Sequence, residues 1–396
     1  MKENVGIKRK LSSNLSRLPK YLFAEIDELK NEVIAKGIDV IDLSIGDPDL
    51  PTPEPIIEAL YEAVKDPANH KYPSYAGMYE FRKASAEWFH RRFGVEFDPK
   101  TEVIALIGSK EGIAHIHWAF LEPGDIALVP DPGYPVYNAA TILAGATPFK
   151  IPLREENNFF PEVENISQNI LSKAKLMFIN YPNNPTSASA TFEQLEKIVW
   201  FAKKNDIILC SDLAYSEIYE GNQKPISIFN IPGAKDIAVE FHSLSKTFNM
   251  TGWRIGFAIG NQNLIKGLLA IKSNVDSGVF NAIQLAGVRA LQPDMERYAQ
   301  QNREVISKRK KKMVSMLTSV GFEVYSSNTT FYIWVKNPKG ISSKEISLTF
   351  LKEAGIVVTP GSGFGEYGEG YFRISLTAPD ERIEEAVNRI KKLSIW

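Results

Sequence analysis

Lys246 lies in the segment HSLSKTFNMTGWRIGFAIG (242 to 260), among small hydroxyl residues and eight positions before Arg254. A lysine amine can condense with an aldehyde, and burial beside other cations lowers its pKa enough to make it a nucleophile and a base. An arginine offers a planar fork that matches phosphate oxygens. Three other segments offer comparable groups. EVIALIGS is followed by Lys110, so that Gly108, Ser109 and Lys110 precede an expected helix whose exposed N–H groups can hold a phosphate. LMFINYP runs into NNPT with Asn184, and DIILCSD ends in Asp212 with Tyr215 three residues later. DIAVEFHS ends in Ser243, followed by Ser245 and Lys246 itself.

Singly, each has an ordinary reading. Asp212 could cap a helix, Asn184 before Pro185 could make a turn, and a lone lysine or arginine is commonly a surface charge. Together the set suits a pyridine aldehyde phosphate. Lys246 would meet the aldehyde, and Asp212 would keep the ring nitrogen protonated so that the ring accepts electrons when a substrate Cα–H bond breaks. Tyr215 and Asn184 would hydrogen-bond the phenolic oxygen, while Arg254, Ser243 and the N–H groups around Ser109 would hold the phosphate.

The elements that must position these groups show in the hydropathy. Short apolar runs recur between residues 100 and 260, separated by segments of helical period such as TFEQLEKIVWFAKKN (191 to 205). Near-continuous apolar strands alternating with helices predict a mostly parallel sheet covered on both faces, with ligands bound beyond the carboxyl ends of its strands. After about residue 290 comes a long charged helix, whose KRKKK reads as a solvated face. A smaller α+β unit follows, with strand-like FYIWV (331 to 335) and YFRISL (371 to 376). The segment before residue 50 lacks a core of its own and is expected to pack on this second unit.

Composition narrows the function. The chain has 396 residues, 44% hydrophobic and 23% charged, with 46 basic against 47 acidic residues. That balance gives no reason to expect nucleic-acid or membrane binding, and a soluble cytoplasmic protein is expected. Cys210, the single cysteine, lies in an apolar run and reads as core. The five histidines form no HExxH, and His115 and His117 are wrongly spaced for one helical face, so no metal is expected.

The chain resembles the class I/II aminotransferases of fold-type I, which depend on pyridoxal 5'-phosphate, across nearly its whole length. The resemblance rests on GDPDLPTP (46 to 53), KYPSYAGMYEFR (71 to 82), GSKEG, DPGYPVY (131 to 137), YPNNPT (181 to 186), SDLAYSE (211 to 217), SLSKTFNMTGWRIG (243 to 256) and YFRIS (371 to 375). It implies an α/β fold with a large, mostly parallel seven-stranded domain (50–292). A smaller α+β domain would be formed by 1–49 and 293–396. It also implies that Lys246 is the Schiff-base lysine and Arg254 the phosphate clamp, with Tyr134 stacked on the cofactor ring. Arg373 would grip the substrate carboxylate with Gly46 and Asn184. Tyr72 and Asn281 would reach the neighbouring subunit's site, so the active unit would be a homodimer.

Within that class, PKYLFAEIDELK (19 to 30), LIGSKEGIAHI and EFHSLSKTFNMTGWRIGFA look most like the LL-diaminopimelate aminotransferases, in which Tyr21 would lie over the substrate. Transfer between LL-diaminopimelate or tetrahydrodipicolinate and glutamate or 2-oxoglutarate is then implied. The alternatives are an alanine or aspartate aminotransferase, a β-lyase, or a non-catalytic cofactor-binding regulator. Two positions depart from the pattern. Ser187 follows NNPT where many relatives have glycine, and Tyr75 stands where some diaminopimelate enzymes have an acidic residue.

Overall fold

The computed structural model describes residues 10–19 and 22–393, and the side chains of 22–26 are not part of that description. Tyr21 lies outside the described residues. In chain order the strands are β1 (Ile41–Asp42), β2 (Val103–Leu106), β3 (Ile126–Asp131), β4 (Thr147–Pro152), β5 (Ala174–Ile179), β6 (Ile208–Asp212), β7 (Ala238–Ser243) and β8 (Gly256–Gly260). They continue as β9 (Val324–Tyr325), β10 (Tyr332–Lys336), β11 (Ile356–Val357), β12 (Thr359–Pro360) and β13 (Tyr371–Ser375).

β2 to β8 form one seven-stranded sheet in the order β2-β8-β7-β6-β5-β3-β4. Only β8 runs against the others. Alternate residues enter different cores, as sheet geometry requires. Leu128, Met177 and Leu209 pack on one face, whereas Ala127, Phe178 and Cys210 pack on the other. Burial on both faces explains why these strands read as continuous apolar runs. β4 escaped that reading because it is an edge strand, half-exposed and bearing Pro148 and Pro152.

A second sheet, β12-β13-β10-β9, is antiparallel throughout. It shares a separate core with the helix Glu296–Ser319, in which Met313, Leu317, Phe331, Ile333 and Phe372 are buried. β1 pairs in parallel with β11 and so joins the chain around residue 41 to this unit, whereas the short helix Ser13–Arg17 lies against the larger one, Arg17 donating to the Ala146 carbonyl at 3.1 Å.

The KRKKK run (308 to 312) corrects the sequence reading. Lys308, Lys311 and Lys312 are exposed, but Arg309 and Lys310 are buried. Arg309 spans Asp49 at 2.6 and 2.9 Å and Asp380 at 2.7 Å. Lys310 Nζ donates to the carbonyls of Ser327 and Thr329 at 3.1 and 2.6 Å, and burial pulls its pKa down to about 7. Ile306, Arg309, Lys310 and Met313 share the inward face at three- and four-residue steps, so the helix buries two cations where it meets the rest of the unit.

Candidate active site

Strand register brings the first group of side chains together. Gly256, at the start of β8, faces Leu106 at the end of β2 and Ser243 at the end of β7. One sheet edge therefore carries the start of the helix Ser109–Phe120, the turn Ser243–Ser245–Lys246 and Arg254. Ser243 caps the short helix Leu244–Thr247, its Oγ accepting from the Ser245 N–H at 3.2 Å. Gly108 has φ 74°, and a Cβ there would overlap the Arg254 guanidinium. Only glycine admits both that backbone and that neighbour. Arg254 itself has φ 53°, is exposed, and donates to the Thr251 carbonyl at 2.7 Å. A guanidinium beside a helix N-terminus without a side-chain cap is the donor set a phosphate requires.

Asp212 closes β6 and is buried at 4% exposure. Tyr137 Oη donates to its Oδ2 at 2.7 Å and the Ala214 N–H to its Oδ1 at 3.3 Å, while Asn180 Nδ2 holds its carbonyl at 2.8 Å. Burial raises its pKa to about 6 despite the Tyr137 hydrogen bond. A carboxylate so placed gains from a cation opposite it, such as a protonated ring nitrogen. Tyr134 meets the Tyr137 ring edge-on at 5.9 Å, and the exposed Lys110 holds its ammonium 5.9 Å from the Tyr134 ring.

Lys246 Nζ donates to the Gly46 carbonyl at 2.6 Å. Burial lowers its pKa to about 8, opposed by Asp47 and reinforced by Arg254 and Arg373. Arg373, in β13 and 3% exposed, donates to Asn184 Oδ1 at 2.6 Å and to the Ser44 carbonyl at 2.5 Å. Among the described residues its Nε has no hydrogen-bond partner. A buried guanidinium with an unused donor has the chemistry to receive a carboxylate. Tyr215 Oη and Tyr332 Oη are 3.1 Å apart, and Arg373 lies over the Tyr332 ring at 4.2 Å. The donors and acceptors thus fit pyridoxal phosphate with an amino acid beside it.

Ser187 keeps the left-handed backbone, with φ 64°. Its Oγ donates to the Thr329 carbonyl at 2.7 Å and accepts from Thr330 Oγ1 at 3.0 Å. These bonds offset the strain that a Cβ brings to this region, so the serine is held in the conformation glycine would adopt freely.

Sequence similarity decides the family. The sequence model of "Aminotransferase class I and II" matches residues 38–390. The chain belongs to that family. As a class I/II aminotransferase it is an enzyme of a pyridoxal-phosphate family, with the fold-type I architecture. It is 58% identical to an LL-diaminopimelate aminotransferase of Aquifex aeolicus over 97% of this chain and 99% of that one. It is 51% identical to a protein of the same name from Syntrophobacter fumaroxidans, over 97% and 98%. Among solved structures, substrate-bound BacF from Bacillus subtilis superposes with a TM-score of 0.93 at 37% identity, covering 98% of each chain.

Two residues expected in this aminotransferase's site lie on a different pair of segments. Tyr72 is 89% exposed, and Asn281 begins the helix Asn281–Ala290 half-buried. Their segments are neighbours, since the His70 and Phe280 rings lie 6.3 Å apart and Gly278 abuts the Ser74 carbonyl. Tyr75, also exposed, belongs to the same surface. Sequence reasoning missed Tyr137, Asn180, Ser44 and Tyr332. Tyr137 and Asn180 lay inside segments already singled out, DPGYPVY and LMFINYP, but nothing in the spacing points them at Asp212.

Proposed function

We propose that this aminotransferase exchanges an amino group between LL-diaminopimelate or tetrahydrodipicolinate and glutamate or 2-oxoglutarate, in lysine biosynthesis. It does so as a cytoplasmic homodimer with pyridoxal phosphate as cofactor. The observation that carries the reaction is Lys246, a partly buried amine with pKa lowered to about 8, beside an Arg373–Asn184 pair with a free guanidinium donor. The substrate rests on the names of relatives more than half identical over nearly the whole chain. A large domain (50–292) and a discontinuous small one (1–49 and 293–396) would meet at this site.

When bound, pyridoxal phosphate supplies an aldehyde for amines and a ring that takes up the electron pair left when the substrate Cα–H bond breaks. Lys246 Nζ would take the proton from the substrate Cα and deliver it to the cofactor carbon that carried the aldehyde, which its lowered pKa permits near neutrality. Asp212 would present its carboxylate to the ring nitrogen, and Tyr215 and Asn184 would meet the phenolic oxygen. Ser109, Lys110, Ser243, Ser245 and Arg254 would hold the phosphate, with Tyr72 supplied by a second subunit. Tyr134 would cover the ring, Arg373 and Gly46 would take the α-carboxylate, and Tyr21 and Asn281 would serve the distal end.

The test is the visible absorbance of cofactor-loaded protein mixed in turn with LL-diaminopimelate, glutamate, alanine and aspartate, with no oxo acid added. Loss of the band with the first two alone supports the assignment. Loss with alanine or aspartate, diaminopimelate being inert, would reassign the substrate. Continued release of pyruvate with ammonia, beyond one equivalent per site and without an acceptor, would mark a lyase.

Arg373→Lys tests the carboxylate grip. Losing the fork should raise KM for amino acids by about tenfold or more, with a smaller fall in kcat. Equal KM values in steady-state kinetics would remove Arg373 from that role.

A further inference from the structure

Three elements of the site converge on one side chain that no role has yet claimed. Tyr332 Oη occupies the space a Cβ on Gly46 would need, and Gly46 is the residue whose carbonyl receives Lys246. The same hydroxyl lies 3.1 Å from Tyr215 Oη, and the ring lies 4.2 Å beneath the Arg373 guanidinium. Tyr332 is 2% exposed and fixed by β10, where its N–H donates to Thr330 Oγ1 at 3.0 Å. Thr330 Oγ1 in turn donates to Ser187 Oγ at 3.0 Å, so the ring is anchored to the NNPTS loop that carries Asn184.

We infer that Tyr332 is a positioning residue, its hydroxyl donating to Tyr215 Oη and its ring forming the floor under Arg373. The direction of the hydrogen bond follows from counting protons, and it rests on the function proposed above. Each phenol has one. With the Tyr215 proton directed to the cofactor's phenolic oxygen, the hydrogen between the two tyrosines is Tyr332's. Donation from behind polarises the Tyr215 O–H and strengthens its own hydrogen bond. The ring contributes separately, since a guanidinium over an aromatic face is held electrostatically while its donors remain free for a carboxylate.

Two variants loaded with pyridoxal phosphate separate the parts. Tyr332→Phe keeps the ring and removes only the hydroxyl. The phenolic oxygen, less well served by Tyr215, becomes more basic and holds its shared proton to higher pH. The pH midpoint of the visible absorbance change should rise by about half a unit, with KM for amino acids within about twofold of the parent. Tyr332→Ala removes the floor as well, and its KM should rise about tenfold. An unmoved midpoint in Y332F beside a titrating parent overturns the hydroxyl role, and an unchanged KM in Y332A overturns the ring's. A parent protein with no titrating visible band would instead overturn the cofactor reading on which both depend.

Discussion

Replacing Lys246 with alanine should lower transamination by at least about 10⁴-fold, because both the amine nucleophile and the proton-transfer group are lost. Cofactor binding should persist in this variant. The proposed phosphate donors belong to the helix start at Ser109, the Ser243 turn and Arg254, whose hydrogen bonds are separate from that of the Lys246 amine. The side chain ties little else down, its amine donating to the Gly46 carbonyl and lying 5.8 Å from the Phe331 ring. Equilibrium dialysis with pyridoxal phosphate and single-turnover kinetics check the two halves of this expectation, and turnover at the parental rate would sink it. The sign of the pH dependence in the parent follows from burial. With its pKa drawn down to about 8, the amine of the cofactor-free protein becomes neutral as pH rises through 8. Near neutral pH a far larger share of it is therefore neutral than of an ordinary lysine. Capture of added pyridoxal phosphate, followed by the growth of its visible band, should therefore accelerate between pH 7 and 8.5 and level off above that.

How far the sequence displays all this depends on the distance over which a contact is made. Lys246, Asp212, Asn184 and Ser109 were legible because each stands where an apolar strand ends, and parallel topology aligns those ends without further information. β8 begins only at Gly256, because Trp253 and Arg254, which by residue type would extend it, occupy a turn, Arg254 with positive φ. The supports around the site were less visible. Tyr137 reaches Asp212 across 75 positions, and Arg373 reaches Ser44 across 329, with no local pattern to announce either. Ser44 contributes only a carbonyl, so its residue type carries no signal at all. The buried cations of the long helix are a different case. Their three- and four-residue spacing with Ile306 and Met313 is readable, but a run of five basic residues overrides it unless Asp49 and Asp380 are known to be near. Ser187 likewise shows the limit of reading by type. A serine in place of glycine suggests a changed loop, whereas hydrogen bonds to Thr329 and Thr330 hold the backbone in the glycine conformation.

Asp212→Asn should reduce kcat by about 10²- to 10³-fold, comparable with removing one preorganised electrostatic group from a reacting centre, while KM for amino acids stays nearly constant. The substitution is close to isosteric, and Tyr137 Oη can still donate to the amide oxygen, so the packing of β6 survives. What disappears is the negative charge facing the ring nitrogen. In the protein without cofactor that charge is disfavoured, burial having raised the carboxyl pKa to about 6. A cation opposite it reverses the balance and lowers the pKa, so the loaded enzyme keeps Asp212 ionised to pH values below 6. The acid limb of the parent's kcat profile should accordingly fall below pH 6, and D212N should lose that limb while remaining slow throughout. Lys246 is untouched, so borohydride reduction of the loaded variant should still fix the cofactor's mass on the peptide containing Lys246. A D212N enzyme with parental kcat would remove Asp212 from the chemistry. Loss of the cofactor from the Lys246 peptide would show instead that Asp212 governs attachment, because the two measurements separate electron withdrawal by the ring from capture of the aldehyde by the amine.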